Sequence, residues 1–158
     1  MRCAIFVVLC LSSSLAQAHW VANGRDAMLN MSLPQVKKPD TNVTLIISYE
    51  KRWSCRPAVA VLLMNGRTLG LPKSQQTTTS RDDQLSIIVD GKVFTAETKF
   101  NLYSNGMELA MIAPSGLVAA LAAPHSVIAR FGSQRGGFDF SDGRGFSAAN
   151  STALASCN

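Results

Sequence analysis

The sequence predicts a mainly β protein, an antiparallel β-sandwich or open barrel, with two short helices near the C-terminus. Three observations carry this. Short apolar, β-branched runs recur along residues 27–140. Between them stand two-residue turn signals, Asn65-Gly66, Asp90-Gly91 and Asn105-Gly106. Helical periodicity enters only late, at residues 117–122 and 146–157.

The N-terminus decides which residues belong to the domain. Met1 and Arg2 give a short positive start, Cys3 to Leu11 is a nearly unbroken apolar run, and Ala16-Gln17-Ala18 is a small-x-small cleavage site. That layout reads as a secretory signal peptide over residues 1–18, too short for a membrane span with stop-transfer flanks. Cleavage after Ala18 leaves one β-rich domain over residues 19–158. No second long apolar segment follows, so no transmembrane segment is expected after processing. The expected location is periplasmic or secreted.

Cleavage removes Cys3 and Cys10 and leaves Cys55 and Cys157. Two cysteines in an exported chain read as one disulfide. A free thiol pair or a metal site is the weaker alternative, because no histidine stands at zinc-ligand spacing from either. Loss of Arg2 takes the basic count from 15 to 14 against 10 acidic residues, a net charge of +4. The cations are scattered, and no basic run interleaved with aromatics marks a nucleic-acid site. A solvated surface accounts for them; attraction to an acidic envelope surface is the sharper alternative.

Taken in order, His19-Trp20 opens the mature chain. Ala27, Leu29, Met31 and Leu33 alternate with Met28, Asn30 and Ser32, the pattern of a strand with one mainly buried face. Pro34 to Asn42 reads as a loop. Val43–Tyr49 and Ala58–Met64 read as central strands, joined through a charged turn at Glu50–Arg52 and then Trp53 and Cys55. Asn65-Gly66 predicts a hairpin into Arg67–Leu71. Pro72 to Asp83, with its Gln75–Ser80 run, reads as a polar and mobile loop.

Leu85–Val89 and Lys92–Thr95 flank the Asp90-Gly91 turn, and Lys99–Tyr103 and Met107–Ile112 flank Ser104–Gly106. Ser115 is placed to cap a helix over Leu117–Ala122 that Pro124 ends. Ser126–Phe131 and Phe138–Phe140 read as the last strands, which makes seven to nine in all. Phe146, Ala149, Ala153, Leu154 and Cys157 then fall on one face of a terminal helix.

Trp20, Asp26, Leu45–Tyr49 with Cys55, Val89-Asp90-Gly91, Phe138-Asp139-Phe140-Ser141 and Ala148–Cys157 together carry a resemblance. The chain resembles small bacterial periplasmic proteins related to type VI secretion-associated accessory proteins and to the invasion-associated locus B family. The resemblance spans most of the mature chain in short pieces. It implies a non-enzymatic envelope protein with a Cys55–Cys157 bond, and it transfers no catalytic residue.

The chain's own chemistry points the same way. It holds no Gly-x-Ser-x-Gly elbow, phosphate loop or His-Glu-x-x-His. Asp139 and Asp142 read as an outward side chain and a loop residue rather than an acid–base pair, and Asp82-Asp83 as charged surface. The expected function is therefore a non-enzymatic accessory or binding protein of a bacterial envelope, without a cofactor, whose partner is a protein or another envelope component. The expected partner surface is the two polar segments that carry Arg81, Arg135 and Arg144. Three Asn-x-Ser/Thr triplets, at Asn30, Asn42 and Asn150, matter only in a eukaryotic source.

The alternative is a periplasmic copper-binding protein. Cleavage after Ala18 would give His19 a free amine beside its imidazole, and His125 is the other histidine available to complete a three-nitrogen Cu(II) site. Against it, His125 reads as a solvated residue at a helix end and no flanking signature accompanies His19.

Overall fold

A computed structural model gives the fold and describes residues 19–32, 41–65, 76–80, 84–103, 106–132, 137–140 and 143–158. In chain order the strands are β1 (Trp20–Asn23), β2 (Asp26–Ser32), β3 (Thr41–Tyr49), β4 (Pro57–Asn65), β5 (Gln76–Ser80), β6 (Leu85–Val89), β7 (Lys92–Thr95), β8 (Thr98–Tyr103), β9 (Gly106–Ile112), β10 (Val127–Phe131) and β11 (Phe138–Asp139). A 3-10 turn covers Lys51–Trp53, and the helices are α1 (Leu117–Ala120) and α2 (Phe146–Ala155). The expected mainly β, antiparallel architecture is what forms.

Two sheets result. One runs β1-β2-β3-β4-β9-β8-β5 and the other β11-β10-β6-β7, with antiparallel pairing throughout. Strand side chains alternate between faces, so register fixes which residues face inward. On the large sheet Leu45 pairs with Leu29 and Val61, and Val61 with Leu109. All four are buried in the main core with Leu85, Ile87 and Val89 of β6 and Ala129 of β10.

Seven strands present more inner face than four strands can cover. The surplus lies over β1, β2 and β3, and α2 packs there. Phe146, Ala149, Ala153 and Cys157 are its buried contribution to the core, and the small alanines let the helix approach the sheet closely. Leu154 departs from the expected face: it is 37% exposed. It follows Ala153 by one residue, about 100° around the helix, and the tighter-packing alanine takes the inward position.

The tether expected of the last helix is present. Cys55 and Cys157 are bonded, with Cα atoms 5.9 Å apart across a sequence separation of 102. Tyr49 donates its hydroxyl to Asn150 Oδ1 at 2.6 Å, a second link from β3 to α2. That bond also occupies the side chain of the third Asn-x-Ser/Thr triplet.

Several elements differ from the sequence reading, each for a physical reason. Gln76–Ser80 is a strand, not a loop: it pairs with β8 from Gln76↔Leu102 to Ser80↔Thr98. Its threonines are β-branched and suit a strand, and at the sheet's outer edge polarity costs nothing. Trp20 opens a strand that the sequence reading does not name: β1 pairs with β2 from Trp20↔Leu29 to Asn23↔Asp26. Eleven strands are therefore present among the described residues, not seven to nine.

The hairpin return at Arg67–Leu71 lies outside the described residues. Ser115 does not cap α1. Gly116 is the N-cap, with φ 83, and no side chain bonds the helix start.

The Asp90-Gly91 turn behaves as its sequence demands. Both residues have positive φ, 49 and 80, the conformation a two-residue hairpin loop requires and that Asp and Gly tolerate best. Asp90 also accepts the backbone N–H groups of His125 and Ser126 on Oδ1, at 2.9 and 2.8 Å. One side chain thus closes the β6–β7 hairpin onto the start of β10.

Candidate functional site

The outer face of the large sheet is where a site can be built. Its residues follow from register. Val21 of β1 pairs with Met28, Met28 with Ile46, Ile46 with Ala60, Ala60 with Ala110 and Ala110 with Lys99. A single outward row therefore crosses six strands and is apolar until it reaches Lys99. Ile46, Ala60, Leu62, Met64 and Tyr103 form a second apolar cluster on this face, with Met28 and Ala110 packed against it.

Where the row crosses β4 and β9 the side chains are small, Ala60 and Ala110, and a groove of about 450 Å3 opens beside them. Its floor is Ala58, Ala110 and the edge of Met111; Trp53 and Ile112 stand beside it; Ala96, Glu97 and Lys99 line its other margin. Ala58 and Ile112 are direct cross-strand partners, so the step from methyl to sec-butyl there sets the groove's depth. Ile112 is 41% exposed, a large apolar side chain left facing solvent.

The 3-10 turn positions Trp53. Trp53 N–H donates to Glu50 O, Ser54 N–H to Lys51 O and Cys55 N–H to Glu50 O, at 2.9, 2.9 and 3.0 Å. Ser54 and Cys55 both sit at φ 54, a left-handed pair that reverses the chain into β4. Neither is glycine, so the conformation costs energy that the hydrogen bonds and the disulfide offset. Arg52 stacks over the Trp53 ring, 4.6 Å from its centroid, and pairs with Glu50. The bonded cysteine therefore lies two residues from the groove's aromatic wall.

A polar cluster adjoins the apolar row. Glu108 Oε2 accepts from Asn101 Nδ2 at 2.8 Å and from the Tyr103 hydroxyl at 2.7 Å. The Tyr103 pKa is pushed well above its ordinary value, first by burial, then by the hydrogen bond to Glu108 and its negative charge. Tyr49 is raised too, by burial, with the Asn150 bond opposing. Both groups are neutral in both states below pH 10, so this contribution is complete there. Above it the unfolded chain ionises first and stability falls. The urea midpoint is expected to drop as pH rises past about 10, and Tyr103→Phe to make the drop shallower. An equally steep drop in the variant would remove Tyr103 as a cause.

The residues singled out in the sequence are placed as follows. Cys55 and Cys157 are bonded. Arg144 is exposed; it forms a short parallel bridge with His19, and its carbonyl accepts Trp20 N–H at 2.8 Å. Arg81 and Arg135 lie outside the described residues, as do Asp82, Asp83 and Asp142, so the three arginines are not seen as one surface. Asp139 is exposed.

His19 and His125 are held by different parts of the fold. The His19 imidazole lies against Gly145, where an added Cβ would come within 2.8 Å of two ring atoms. His125 is exposed beside the Asp90 turn of the other sheet. Among the described residues no group of three or more His, Cys, Asp or Glu is placed to hold a metal ion. No helix of the described residues is long and apolar enough to cross a membrane.

The groove was not named from sequence, although part of its signal is visible there. Ala58 and Ala60 alternate with valines in a strand apolar on both faces, which marks one face as shallow. That Ala110 and Lys99 lie beside them depends on β4, β9 and β8 being neighbours, which local pattern does not encode. No family model, no curated protein and no solved structure matches the chain.

Proposed function

We propose that this chain is an exported, non-enzymatic accessory or binding protein of a bacterial envelope, and that it binds its partner through the Trp53 groove. The groove itself carries the reading. A small apolar floor, an aromatic wall and a charged margin suit the capture of an apolar side chain with a polar surround. The Cys55–Cys157 bond supports export, since such bonds persist in oxidising compartments. The resemblance to periplasmic accessory proteins and the signal-like residues 1–18 support it as well.

Ala110→Leu tests the binding surface by filling the floor from a half-buried outward position. The mature chain and this variant, used as baits in a bacterial envelope extract, are expected to share a melting temperature but not a partner. The partner should be depleted about tenfold or more on the variant, the change that about 1.4 kcal/mol produces. Equal retention by both baits would exclude the groove. Charge reversal at Arg81, Arg135 and Arg144 tests the arginine segments as the competing surface, and loss of the partner there alone would select them. Export is checked by N-terminal sequencing of the periplasmic fraction, with His19 expected as the first residue.

A further inference from the structure

From the order of side chains in the groove we infer that its occupant is a second copy of this chain, packed face to face about a two-fold axis. This inference rests on the groove being the binding site, and it names what fills it. The groove is built on two neighbouring outward rows. In one, Ala58 of β4 pairs with Ile112 of β9. Glu97 continues that row, because it precedes Thr98, whose partner Met111 precedes Ile112. In the other, Ala60 pairs with Ala110, and Ala110 with Lys99. The first row thus offers a large apolar side chain and a carboxylate, and the second a methyl group and a cation.

Each row supplies what the other lacks. Ile112 is a large apolar side chain left in solvent, while Ala110 is half-buried and leaves space above it. Glu97 and Lys99 are both exposed, and neither makes an ion pair among the described residues. A two-fold interface is self-complementary: when one residue meets a second, the reverse contact forms as well. An axis between the two rows, in the plane of the interface and perpendicular to the strands, exchanges them. Ile112 then enters the space over Ala110 of the second copy, and Glu97 meets Lys99 of the second copy, each contact occurring twice. Sheets packed face to face stand about 10 Å apart, room for one layer of interdigitating side chains.

The matched patch is narrow. In the Ala58 row Ser48 and Asp26 follow on β3 and β2, so the apolar match ends at β4. Three strands at about 4.8 Å spacing give a contact roughly 14 Å wide, well short of the usual 800 Å2 or so per partner. The dimer is therefore expected to be weak and to exchange with monomer in the micromolar range.

Sedimentation velocity of the mature chain from about 1 to 500 µM tests this across that range. The weight-average sedimentation coefficient is expected to climb from the monomer value towards the dimer value. Ala110→Leu, which fills the space Ile112 would enter, is expected to stay monomeric throughout. Lys99→Glu sets like charges against each other at both symmetry-related positions and is expected to weaken the dimer about tenfold. Adding Glu97→Lys to Lys99→Glu restores both pairs at unchanged net charge, and it is expected to return the dimerisation constant to within about threefold of the native value. Both charges are exposed, so the single and double variants should keep the native melting temperature.

A chain that stays monomeric throughout, while Ala110→Leu still loses a partner from an envelope extract, would overturn the second copy and leave the groove standing. A monomer with no partner dependent on Ala110 would overturn both. A dimer untouched by Ala110→Leu, or one that the exchange of both charges fails to restore, would overturn this two-fold arrangement.

Discussion

Replacing Cys157 with alanine is expected to lower the melting temperature by about 10–20 °C. The bond closes a loop of 102 residues, which the chain-entropy model values at roughly 4–5 kcal/mol, and a domain of this size loses about 3–4 °C per kcal/mol. The terminal helix feels the loss most. Its ten residues are too few to be helical alone in water, and it buries only Phe146, Ala149 and Ala153 besides the cysteine itself. Freed of the bond, α2 should become the first site of proteolysis while the β-sheet signal in circular dichroism persists. Cys55→Ala and the double variant should match the single variant, because one bond is lost in each case. A double variant markedly less stable than either single would show that the thiols act separately. Alanine is preferred to serine because Cys157 is buried, where a serine hydroxyl would need a partner.

Trp20→Ala is expected to cost about 3–5 kcal/mol, the usual price of emptying a large aromatic site. Trp20 is 5% exposed although it begins the first strand. Its ring meets Phe146 edge to face, with centroids 4.8 Å apart, so β1 and α2 lock each other in place. Gly143 closes over the indole, where an added Cβ would stand 3.1 Å from Nε1. A double-mutant cycle with Phe146→Ala should return a coupling of about 0.5–1.5 kcal/mol for the ring pair. A denaturation midpoint unchanged by Trp20→Ala would mean that β1 is not part of the cooperative fold. Cleavage after Ala18 would leave this core residue second in the mature chain, so a cut even two residues later is expected to be as damaging as the substitution.

Much of the framework was legible because local pattern and tertiary environment agree. Val43–Tyr49 and Ala58–Met64 read as central strands because the first is β-branched and apolar and the second apolar throughout, and both are flanked by strands on either side. Asp90-Gly91 read as a turn because few residue pairs accept two successive positive φ values. The Cys55–Cys157 bond followed from the number of cysteines left once an expected signal peptide is set aside, rather than from their spacing. Gln76–Ser80 misled because polarity outweighed β-branching, a weighting that fails at sheet edges. β1 was missed because four residues are too few to show a period. Leu154 was placed inward because helical spacing gives a stripe wider than the one the packed helix uses.

The groove belongs to a different class. Trp53, Ala58, Ala110 and Lys99 come from three strands and a turn spread over residues 53–110, and only strand order brings them together.

Site-specific photo-crosslinking in the full-length chain, expressed in a bacterium, tests the binding surface most directly. A benzophenone amino acid placed at Ile112 probes the groove, and one at Val93, 58% exposed on β7 of the other sheet, is the control. Both positions are exposed, so both labelled proteins should fold and be exported alike. The expected result is one discrete crosslinked partner from Ile112 that is absent from Val93 and disappears with Ala110→Leu. A partner captured from Val93 and not from Ile112 would contradict the groove as the binding site.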